Sequence, residues 1–277
     1  MNNKLKKEAI IQFSGGIDSL YTAYLLGQKY DKIHLLTFDK GYLHFGLNFS
    51  KPNINNLKKI LGNEKVVFKV KEMKDLFKKM SVKNFFKNSK KYGNETSWCI
   101  PCRASMAIMS IIYALENNIP DYTDGANWEQ APDQENLLVT ADNYPGYLKL
   151  IKEFSNSYEV NYFSPVYKLN TREERRELLL DLGFKIDWNS LDIDKPKSLT
   201  SIFNRDFYKR YQPMCISGWL IHWKRNFFNK KVKTSEEQIL EFIKPKLDLY
   251  GKNHIETYFK DRGKDLKEIL NKRNQFK

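Results

Sequence analysis

The feature that most constrains this chain lies near its start, where an apolar run leads through two glycines into a helical pattern. The run from Ala9 to Phe13 predicts a buried strand, and Ser14-Gly15-Gly16-Ile17-Asp18-Ser19 follow it directly. Glycine lets the backbone approach an anion closely, and the first N–H groups of a helix have no partner within the helix. Two serine hydroxyls add donors. The segment therefore predicts a phosphate-binding loop, and because it contains no lysine it differs from the GxxxxGK[ST] loop.

Strand-like and helix-like segments alternate through the first part of the chain. The predicted strands lie at 8–13, 32–39, 65–70 and 122–124, and the predicted helices lie at 18–29, 52–61, 72–88 and 102–117, with a polar loop at 89–97. This alternation predicts a doubly wound α/β fold with a parallel sheet. Ligands of such sheets bind at the carboxyl ends of the strands, where Ser14, Asp39 and Gly125 fall.

The second part of the chain has a different character. Thr171 and Glu174 form a capping-box pattern before a leucine-rich helix that ends at Gly183, and residues 235–274 predict two basic amphipathic helices broken near Gly251. We therefore expect an ATP-binding α/β domain at 1–165. A basic, aromatic-rich and mainly helical region is expected at 166–277.

Composition argues against several classes of protein. Hydrophobic residues make up 41% of the chain, which is enough for a sizeable core, and three cysteines are too few for a secreted disulfide scaffold. We find no signal-peptide pattern, and no apolar run approaches the roughly 20 residues of a membrane helix. We therefore expect a cytoplasmic location, reduced thiols and no membrane partner.

The net charge of +14 is unevenly distributed along the chain. Residues 65–91 contain ten lysines, and residues 224–277 contain fifteen Lys and Arg against eight Asp and Glu, whereas residues 116–142 hold seven acids and no base. A nucleic-acid partner explains basic surfaces separated from an acidic interior. Solvated lysine faces in a lysine-rich protein explain them equally well.

The Ser-Gly-Gly-x-Asp-Ser segment resembles the PP-loop of the ATP pyrophosphatases, also called adenine nucleotide alpha hydrolases, which have a HUP-like α/β fold. The resemblance implies that ATP is cleaved between its α- and β-phosphates, that an acceptor oxygen is adenylated, and that a nitrogen or sulfur nucleophile displaces AMP. It also implies that the loop binds the phosphates through Ser14, Gly15, Gly16, Asp18 and Ser19. Asp18, as a catalytic residue, and Asp39 are the acids expected nearest the phosphates and Mg²⁺.

Two further segments carry the resemblance toward the nucleoside. Thr37 and Phe38 are expected to line the adenine pocket and Asp39 to hold the ribose, although an acid at the end of a strand is also a common turn or cap residue. In the resembling enzymes a Gly-x-Asn element approaches the nucleotide from the other side. Gly125 and Asn127 match it, most closely as it occurs in the sulfur-inserting members.

The cysteines carry the second chemical signal. Cys99 and Cys102 form a CxxC pair predicted to open a helix, where a thiolate is favoured, and Cys215 is the third cysteine. This pattern resembles the cluster-dependent tRNA thiolation enzymes, which implies a [4Fe–4S] cluster on Cys99, Cys102 and Cys215. Persulfide or disulfide chemistry on the same residues and incidental buried cysteines are the alternatives. Zinc is less favoured, because the one candidate fourth ligand, His222, lies among aromatic residues.

The resemblance favours an ATP-dependent sulfur transferase that replaces a carbonyl oxygen of a tRNA base or a small molecule with sulfur. Its expected catalytic residues are Asp18, Cys99 and Cys102. The expected partners are ATP, a sulfur donor (sulfide or a persulfide carrier protein) and tRNA, and a second copy of the chain is a further candidate. The main alternative is a PP-loop amidotransferase that acts on an N-acetyl sugar or similar acceptor with ammonia from a partner glutaminase, as Asp39-Lys40-Gly41-Tyr42 also suggests. A basic RNA-binding protein with a vestigial nucleotide site is the non-enzymatic alternative.

Several other basic and aromatic residues have two interpretations each. Arg103 either meets a phosphate or lies exposed on its helix, and Arg172, Arg175 and Arg176 are expected to pair with glutamates of their own helix. The aromatic residues at 207–228 either pack in a core, as their helical spacing favours, or stack on RNA bases.

Overall fold

The computed structural model describes residues 7–130, 143–186, 211–218, 220–221 and 234–275. The predicted α/β class is confirmed. The strands are β1 (Glu8–Gln12), β2 (Lys32–Asp39), β3 (His44–Phe45), β4 (Val66–Glu72), β5 (Asp121–Thr123), β6 (Asn161–Phe163) and β7 (Met214–Cys215). Five of them form a parallel sheet in the order β4-β2-β1-β5-β6, while β3 and β7 form a separate antiparallel pair.

Helices cover both faces of the five-stranded sheet. They are α1 (Ile17–Lys29), α2 (Lys51–Leu61), α3 (Lys74–Met80), α4 (Phe85–Tyr92), α5 (Asn94–Asn117), α6 (Pro145–Asn156), α7 (Arg172–Asp181), α8 (Glu236–Lys246), α9 (Lys252–Lys260) and α10 (Leu266–Asn274). Alternate residues of β1 point into different cores. Ile10 joins the core built mainly from α5, α6, α8 and α9, while Ala9 and Ile11 join the core with α1, α2 and α7.

The chain reverses direction across the sheet between β1 and β5. From β1 it proceeds outward through β2 to β4, and it then returns to the other side of β1 as β5 and β6. This point is the topological switch of a doubly wound sheet, where a crevice opens at the carboxyl ends of the strands. The phosphate loop after β1 and the Gly125 loop after β5 lie on the two sides of that crevice.

Helix α5 begins earlier than predicted. The sequence predicts a loop at 89–97 and a helix from Cys102, but α5 starts at Asn94 and continues through Pro101. Proline cannot donate to the carbonyl of Ser97 four residues before it. The Ser81 hydroxyl donates to that carbonyl instead, at 2.7 Å, so the helix continues. Cys99 therefore lies in the second turn, and the predicted stabilisation of its thiolate by a helix start does not apply.

Two other predicted boundaries differ from the structure. The helix predicted at 72–88 is divided into α3 and α4 by residues 81–84. Near Gly251 the chain does not break: a π-helical turn, Leu247–Gly251, joins α8 to α9, and Gly251 packs closely on Ile108 and Phe154. The capping box of Thr171 and Glu174 is present as predicted.

Helix α5 is long and apolar enough to cross a membrane by length and composition alone, but 78% of its most apolar window is buried inside the protein. Its apolar side chains form the centre of the core with α6, α8 and α9. Burial in this core explains the apolar character of α5 without a bilayer.

Candidate active site at the phosphate loop

The phosphate loop is a tight turn held by its own serines. Gly15 adopts a φ of 75°, a conformation that favours glycine, and Gly16 caps the start of α1 in an extended conformation. The hydroxyls of Ser14 and Ser19 lie 3.1 Å apart, and that of Ser19 donates to the carbonyl of Gly16 at 3.1 Å. The structure thus places a serine-lined loop and a helix start at the switch point, as an anion site requires.

A segment from the far end of the chain lies directly against this loop. A Cβ atom built on Gly15 would be 3.0 Å from the carbonyl oxygen of Tyr211, and one built on Gly16 would be 2.6 Å from Oε1 of Gln212. The contact with backbone and the φ of 75° favour glycine at position 15 independently of any phosphate, whereas the obstacle at position 16 is the end of a flexible side chain. Residues 211–212 are therefore part of the site, and no local sequence pattern pointed to them.

Asp18 faces a buried arginine. The guanidinium of Arg175, which is fully buried, donates to Asp18 Oδ1. It also donates to the carbonyls of Val166, Leu169 and Asn170, so protein groups surround it. The charge of Asp18 is therefore balanced by protein.

A second arginine beside the loop has unused capacity. Nε of Arg172 lies 4.0 Å from Asp18 Oδ2 and is buried without a hydrogen-bond partner among the described residues. The prediction that the arginines of this helix pair with its own glutamates holds for Arg176 with Glu173, at 2.7 Å, but not for Arg172 or Arg175. Long-range pairing with the loop outcompetes pairing within the helix. Sequence spacing alone cannot show this.

Asn127 lies between two carboxylates. Its amide nitrogen is 3.4 Å from Asp18 Oδ1 and 3.4 Å from Glu129 Oε2. Glu129 in turn accepts from the backbone N–H of Arg172 at 2.7 Å. The predicted Gly-x-Asn element thus reaches the phosphate loop, and Glu129 is a site residue that the sequence analysis did not single out.

Gly125 packs against the first turn of α1. A Cβ there would be 2.8 Å from the nitrogen of Ser19, which explains why this position is glycine. The preceding residue, Asp124, is buried and accepts from Arg103 at 2.6 Å and from the hydroxyl of Tyr162 at 2.7 Å. Arg103 is therefore paired with a buried carboxylate and does not lie free on its helix, while its contact with a phosphate stays a prediction. It fixes the Gly125 loop to α5 at the position directly after the CxxC pair.

The residues at the end of β2, which were expected to bind the nucleoside, make contacts within the protein. Phe38 is buried in the core of α5 with 4% of its surface exposed, and the Thr37 hydroxyl donates to the carbonyl of Phe13 at 2.7 Å. Asp39 Oδ1 accepts from the N–H of Gly41 at 2.8 Å, which is the turn role weighed against a ribose contact. Asp39 lies one strand away from the phosphate loop, so its contact with ATP remains a proposal.

A buried lysine contacts Cys215 and is influenced electrostatically by all three cysteines. Lys40 is 3% exposed, and its Nζ donates to Sγ of Cys215 at 2.7 Å. Burial lowers the pKa of Lys40, but the negative charge of Cys102, Cys215 and Cys99 outweighs burial and raises the pKa above its ordinary value.

The residues do not fit the iron–sulfur cluster or the zinc ion that the sequence analysis considered. Within the described ranges, no three Cys, His, Asp or Glu side chains are arranged to hold a metal ion. The sulfur of Cys215 is instead engaged by Lys40, and the candidate zinc ligand His222 lies outside the described residues. Most of the aromatic stretch at 207–228 lies outside them as well.

Comparison with solved structures identifies the fold. A crystal structure of a 4-thiouridine synthetase–RNA complex with bound ATP matches 90% of this chain with a TM-score of 0.55 and 15% sequence identity. The match covers 53% of that protein, so this chain spans about half its length. The likeness shows that this chain has the same fold as the matching part of that synthetase.

Two other solved structures match less well, with TM-scores below 0.5. A predicted subunit of tRNA methyltransferase from Methanocaldococcus jannaschii is 17% identical. The match covers 63% of this chain and 76% of that protein, with a TM-score of 0.39. An NMN synthetase from Francisella tularensis is 14% identical. The match covers 92% of this chain and 85% of that protein, with a TM-score of 0.36. No family model and no curated protein matches the sequence.

Proposed function

We propose that this protein is an ATP-dependent transferase that adenylates a carbonyl oxygen of its acceptor and replaces that oxygen with sulfur, releasing AMP and pyrophosphate. The observation that carries the proposal is the course of residues 211–215. Gln212 lies on the phosphate-loop glycines, and Cys215 lies beside Lys40. Three residues of extended chain span about 10 Å, so this segment links a nucleotide site to a thiol site within the reach of one substrate.

The substrate MgATP binds with its phosphates at Ser14 to Ser19, where the hydroxyls and the N-terminal amides of α1 face the crevice. The acceptor oxygen attacks the α-phosphorus, and pyrophosphate leaves with the electron pair of the broken P–O bond. The guanidinium of Arg172 is suited to the departing pyrophosphate, because its Nε is unpaired within the described residues. The protein acts through positioning and charge, as it does in other phosphoryl and nucleotidyl transfers.

The sulfur step uses cysteine chemistry, which was the second explanation open from the sequence. A Cys215 thiolate attacks the outer sulfur of a donor persulfide, and the donor leaves as a thiolate. The outer sulfur of the new Cys215 persulfide attacks the adenylated carbon, and AMP leaves. A thiolate of Cys99 or Cys102 then attacks Sγ of Cys215 and forms a disulfide. The electron pair of the broken S–S bond stays on the acceptor's sulfur, and an external dithiol reduces the disulfide.

The acceptor that we favour is a tRNA base. The net charge is +14, and α3, which begins at the carboxyl end of β4, carries exposed lysines. The 4-thiouridine synthetase of the same fold was crystallised with RNA and ATP. Free thiols and a reductant-dependent cycle suit a cytoplasmic location.

The test is a reaction of the full chain with ATP, Mg²⁺, unmodified tRNA and either sulfide or a persulfide donor. We expect AMP formation that depends on tRNA, and tRNA that is retarded in a mercury-containing gel because it carries sulfur. Asp18→Asn removes the charge that Arg175 orients and should abolish both signals, whereas Glu173→Gln on α7 should leave them unchanged.

Two outcomes contradict the proposed reaction, and a third contradicts only the choice of tRNA as acceptor. AMP formation with ammonium and an amino sugar product would identify the amidotransferase. Binding of ATP without AMP release under any condition would identify a vestigial nucleotide site. AMP and thiolated product formed from a small carbonyl compound, with tRNA inert, would leave sulfur transfer intact and replace only the acceptor.

A further inference from the structure

We propose that Lys40 is the positioning residue that holds the Cys215 sulfur as a thiolate, so that the three cysteines form a cluster-free site for sulfur chemistry. The inference deepens the proposed function, on which it rests for the use made of the thiolate. From the sequence, Lys40 was noted only as part of the segment Asp39-Lys40-Gly41-Tyr42, and no role was predicted for it.

The sulfur of Cys215 is surrounded by donors. The ammonium of Lys40 lies 2.7 Å from Sγ, the backbone N–H of Gly218 donates to it at 3.1 Å, and the hydroxyl of Ser217 lies 3.6 Å away. A neutral thiol accepts hydrogen bonds weakly, whereas a thiolate is stabilised by a neighbouring cation and by N–H donors. Cys215 itself is exposed, so the stabilised sulfur remains accessible to a substrate.

The other groups around the buried ammonium of Lys40 do not balance its charge. Its side chain lies over the rings of Phe77 and Trp98, with centroid distances of 5.4 and 5.3 Å. Aromatic faces favour a cation but do not supply a full negative charge, and a buried charge without a counter-ion is strongly unfavourable. The sulfurs can supply that charge, in agreement with the raised pKa of Lys40.

The other ionisable groups near Lys40 do not replace this pairing. Burial and then the charge of Lys40 lower the pKa of His44, while Asp39 raises it, and the net effect favours the neutral imidazole. Asp39 accepts from the N–H of Gly41 and completes the turn. Cys99 and Cys102 are only partly exposed, which leaves Cys215 as the most accessible of the three sulfurs.

The backbone holds Lys40 against Cys215 by an unusual route. Gly41, Tyr42 and Leu43 have φ values of 65°, 52° and 61°, and two of these residues have side chains that disfavour this conformation. The turn returns the chain as β3, whose His44 pairs with Cys215, and the N–H of Ile216 donates to the carbonyl of Leu43 at 3.0 Å. Strained backbone persists where surrounding structure enforces it and often marks a functional site.

The test measures alkylation of each cysteine in the full chain by limiting iodoacetamide at pH 7, with mass spectrometry of the peptides. We expect Cys215 to react fastest in the native protein, and faster than the same residue in urea. Lys40→Met keeps the volume and removes the charge, so the Cys215 rate should fall about tenfold or more, since the thiolate is the reactive form and the neighbouring cation stabilises it. Lys40→Arg should retain most of the rate, and Lys74→Met, whose side chain packs on Gly41, should retain all of it.

The inference is overturned if Cys215 reacts at the same rate in the wild type and in folded Lys40→Met, or if it reacts more slowly in the native wild type than in urea. The second comparison needs no variant and so remains decisive if Lys40→Met does not fold. Iron and sulfide bound to anaerobically purified protein, and lost in Cys215→Ser, would also overturn it. Alkylation requires neither ATP nor an acceptor, so its failure is distinguishable from a failure of AMP release.

Discussion

Arg175 donates to the carboxylate of Asp18 across 157 positions of sequence. The arginine side chain has no exposed surface, and that of Asp18 is 14% exposed. Because Asp18 lies in the first turn of α1 and Arg175 lies in α7, the pair fixes the phosphate loop to a helix from the second part of the chain. The geometry of the nucleotide site therefore depends on α7.

Replacement of Arg175 by methionine should destabilise the protein strongly. The change leaves the Asp18 carboxylate and three carbonyl groups without their partner. Breaking a buried ion pair from one side typically costs about 3–5 kcal/mol of unfolding free energy. Urea unfolding followed by circular dichroism measures the change.

Arg176→Met on the same helix is the comparison variant, because its partner Glu173 is exposed, so that loss of the arginine leaves no buried charge unpaired. Combining Arg175→Met with Asp18→Asn should recover part of the loss, since the unpaired charge is then removed. Equal unfolding free energies of the Arg175 and Arg176 variants would show that the buried pair contributes no more to stability than the Arg176–Glu173 pair.

Ser81→Ala should weaken α5 at its proline. The Ser81 hydroxyl is the donor to the Ser97 carbonyl that Pro101 leaves without its helical partner. An unsatisfied buried carbonyl costs about 1–3 kcal/mol. The matched control is Ser89→Ala in α4, whose hydroxyl donates to a carbonyl at the surface. If the two variants unfold at the same urea concentration, another group supports the carbonyl of Ser97.

The parts of the fold that the sequence predicts are local. The strand–glycine–helix unit at Ser14 to Ser19, the bounds of β2 and the capping box of Thr171 all depend on residues within a few positions of one another. Hydrophobic periodicity and capping chemistry are sufficient for such elements.

The parts that the sequence does not predict are pairings between distant residues. Arg175 with Asp18 and Lys40 with Cys215 join segments more than 150 positions apart, and the short strand β3 exists only because β7 pairs with it. The early start of α5 has the same origin, since the partner that allows Pro101 inside the helix is Ser81 in a preceding turn. Local patterns carry no information about which of several arginines or lysines finds a partner.

Gly125→Ala should damage the site more than Gly16→Ala. The new methyl group at position 125 would meet the backbone of Asp18 and Ser19, at 2.9 and 2.8 Å, and backbone cannot move aside cheaply. Overpacking of this kind costs about 1–3 kcal/mol, and AMP formation should fall with it. At Gly16 the obstacle is Oε1 of Gln212, at 2.6 Å, the end of a flexible side chain, and φ is an ordinary −76°.

The double variant with Gly16→Ala and Gln212→Ala supplies the control for that comparison. It should unfold close to the wild type, because the clash is removed and alanine accepts the backbone conformation. Urea unfolding measures stability, and AMP release measures the site. Greater instability of the Gly16 variant than of the Gly125 variant would mean that residues 211–212 are more rigidly fixed than the α1 backbone.

Acidification from pH 7.5 to 5.5 should destabilise the protein. Burial is the main cause that lowers the pKa of His34, His44 and His254 below the ordinary value of 6.5. The unfolded chain therefore binds more protons in this range, so stability is full above about pH 6.5 and is lost as pH falls toward the folded pKa values. The lowered pKa values of exposed Glu174 and Glu241 act only at lower pH. The urea concentration at the unfolding midpoint, measured at several pH values, reports this loss of stability. The variant His254→Asn should show a weaker dependence of the midpoint on pH. A midpoint that rises on acidification would contradict the prediction.

If tRNA is the acceptor, its binding should depend on salt through the lysines near the phosphate loop. Helix α3 follows the carboxyl end of β4, on the same edge of the sheet as the loop, and Lys78 and Lys79 on it are exposed. Exposed Lys267 on α10 is the control, because Arg273 anchors that helix at 2.8 Å to the carbonyl of Ile119, before β5, at the opposite edge. Filter binding at several salt concentrations compares the wild type with the double variant Lys78→Gln, Lys79→Gln. In the double variant the slope of log K against log salt should be shallower by roughly 0.7–0.9 for each phosphate contact removed. Lys267→Gln should leave the slope unchanged, and a loss of slope in that variant alone would place the RNA on the far edge of the sheet, away from the nucleotide.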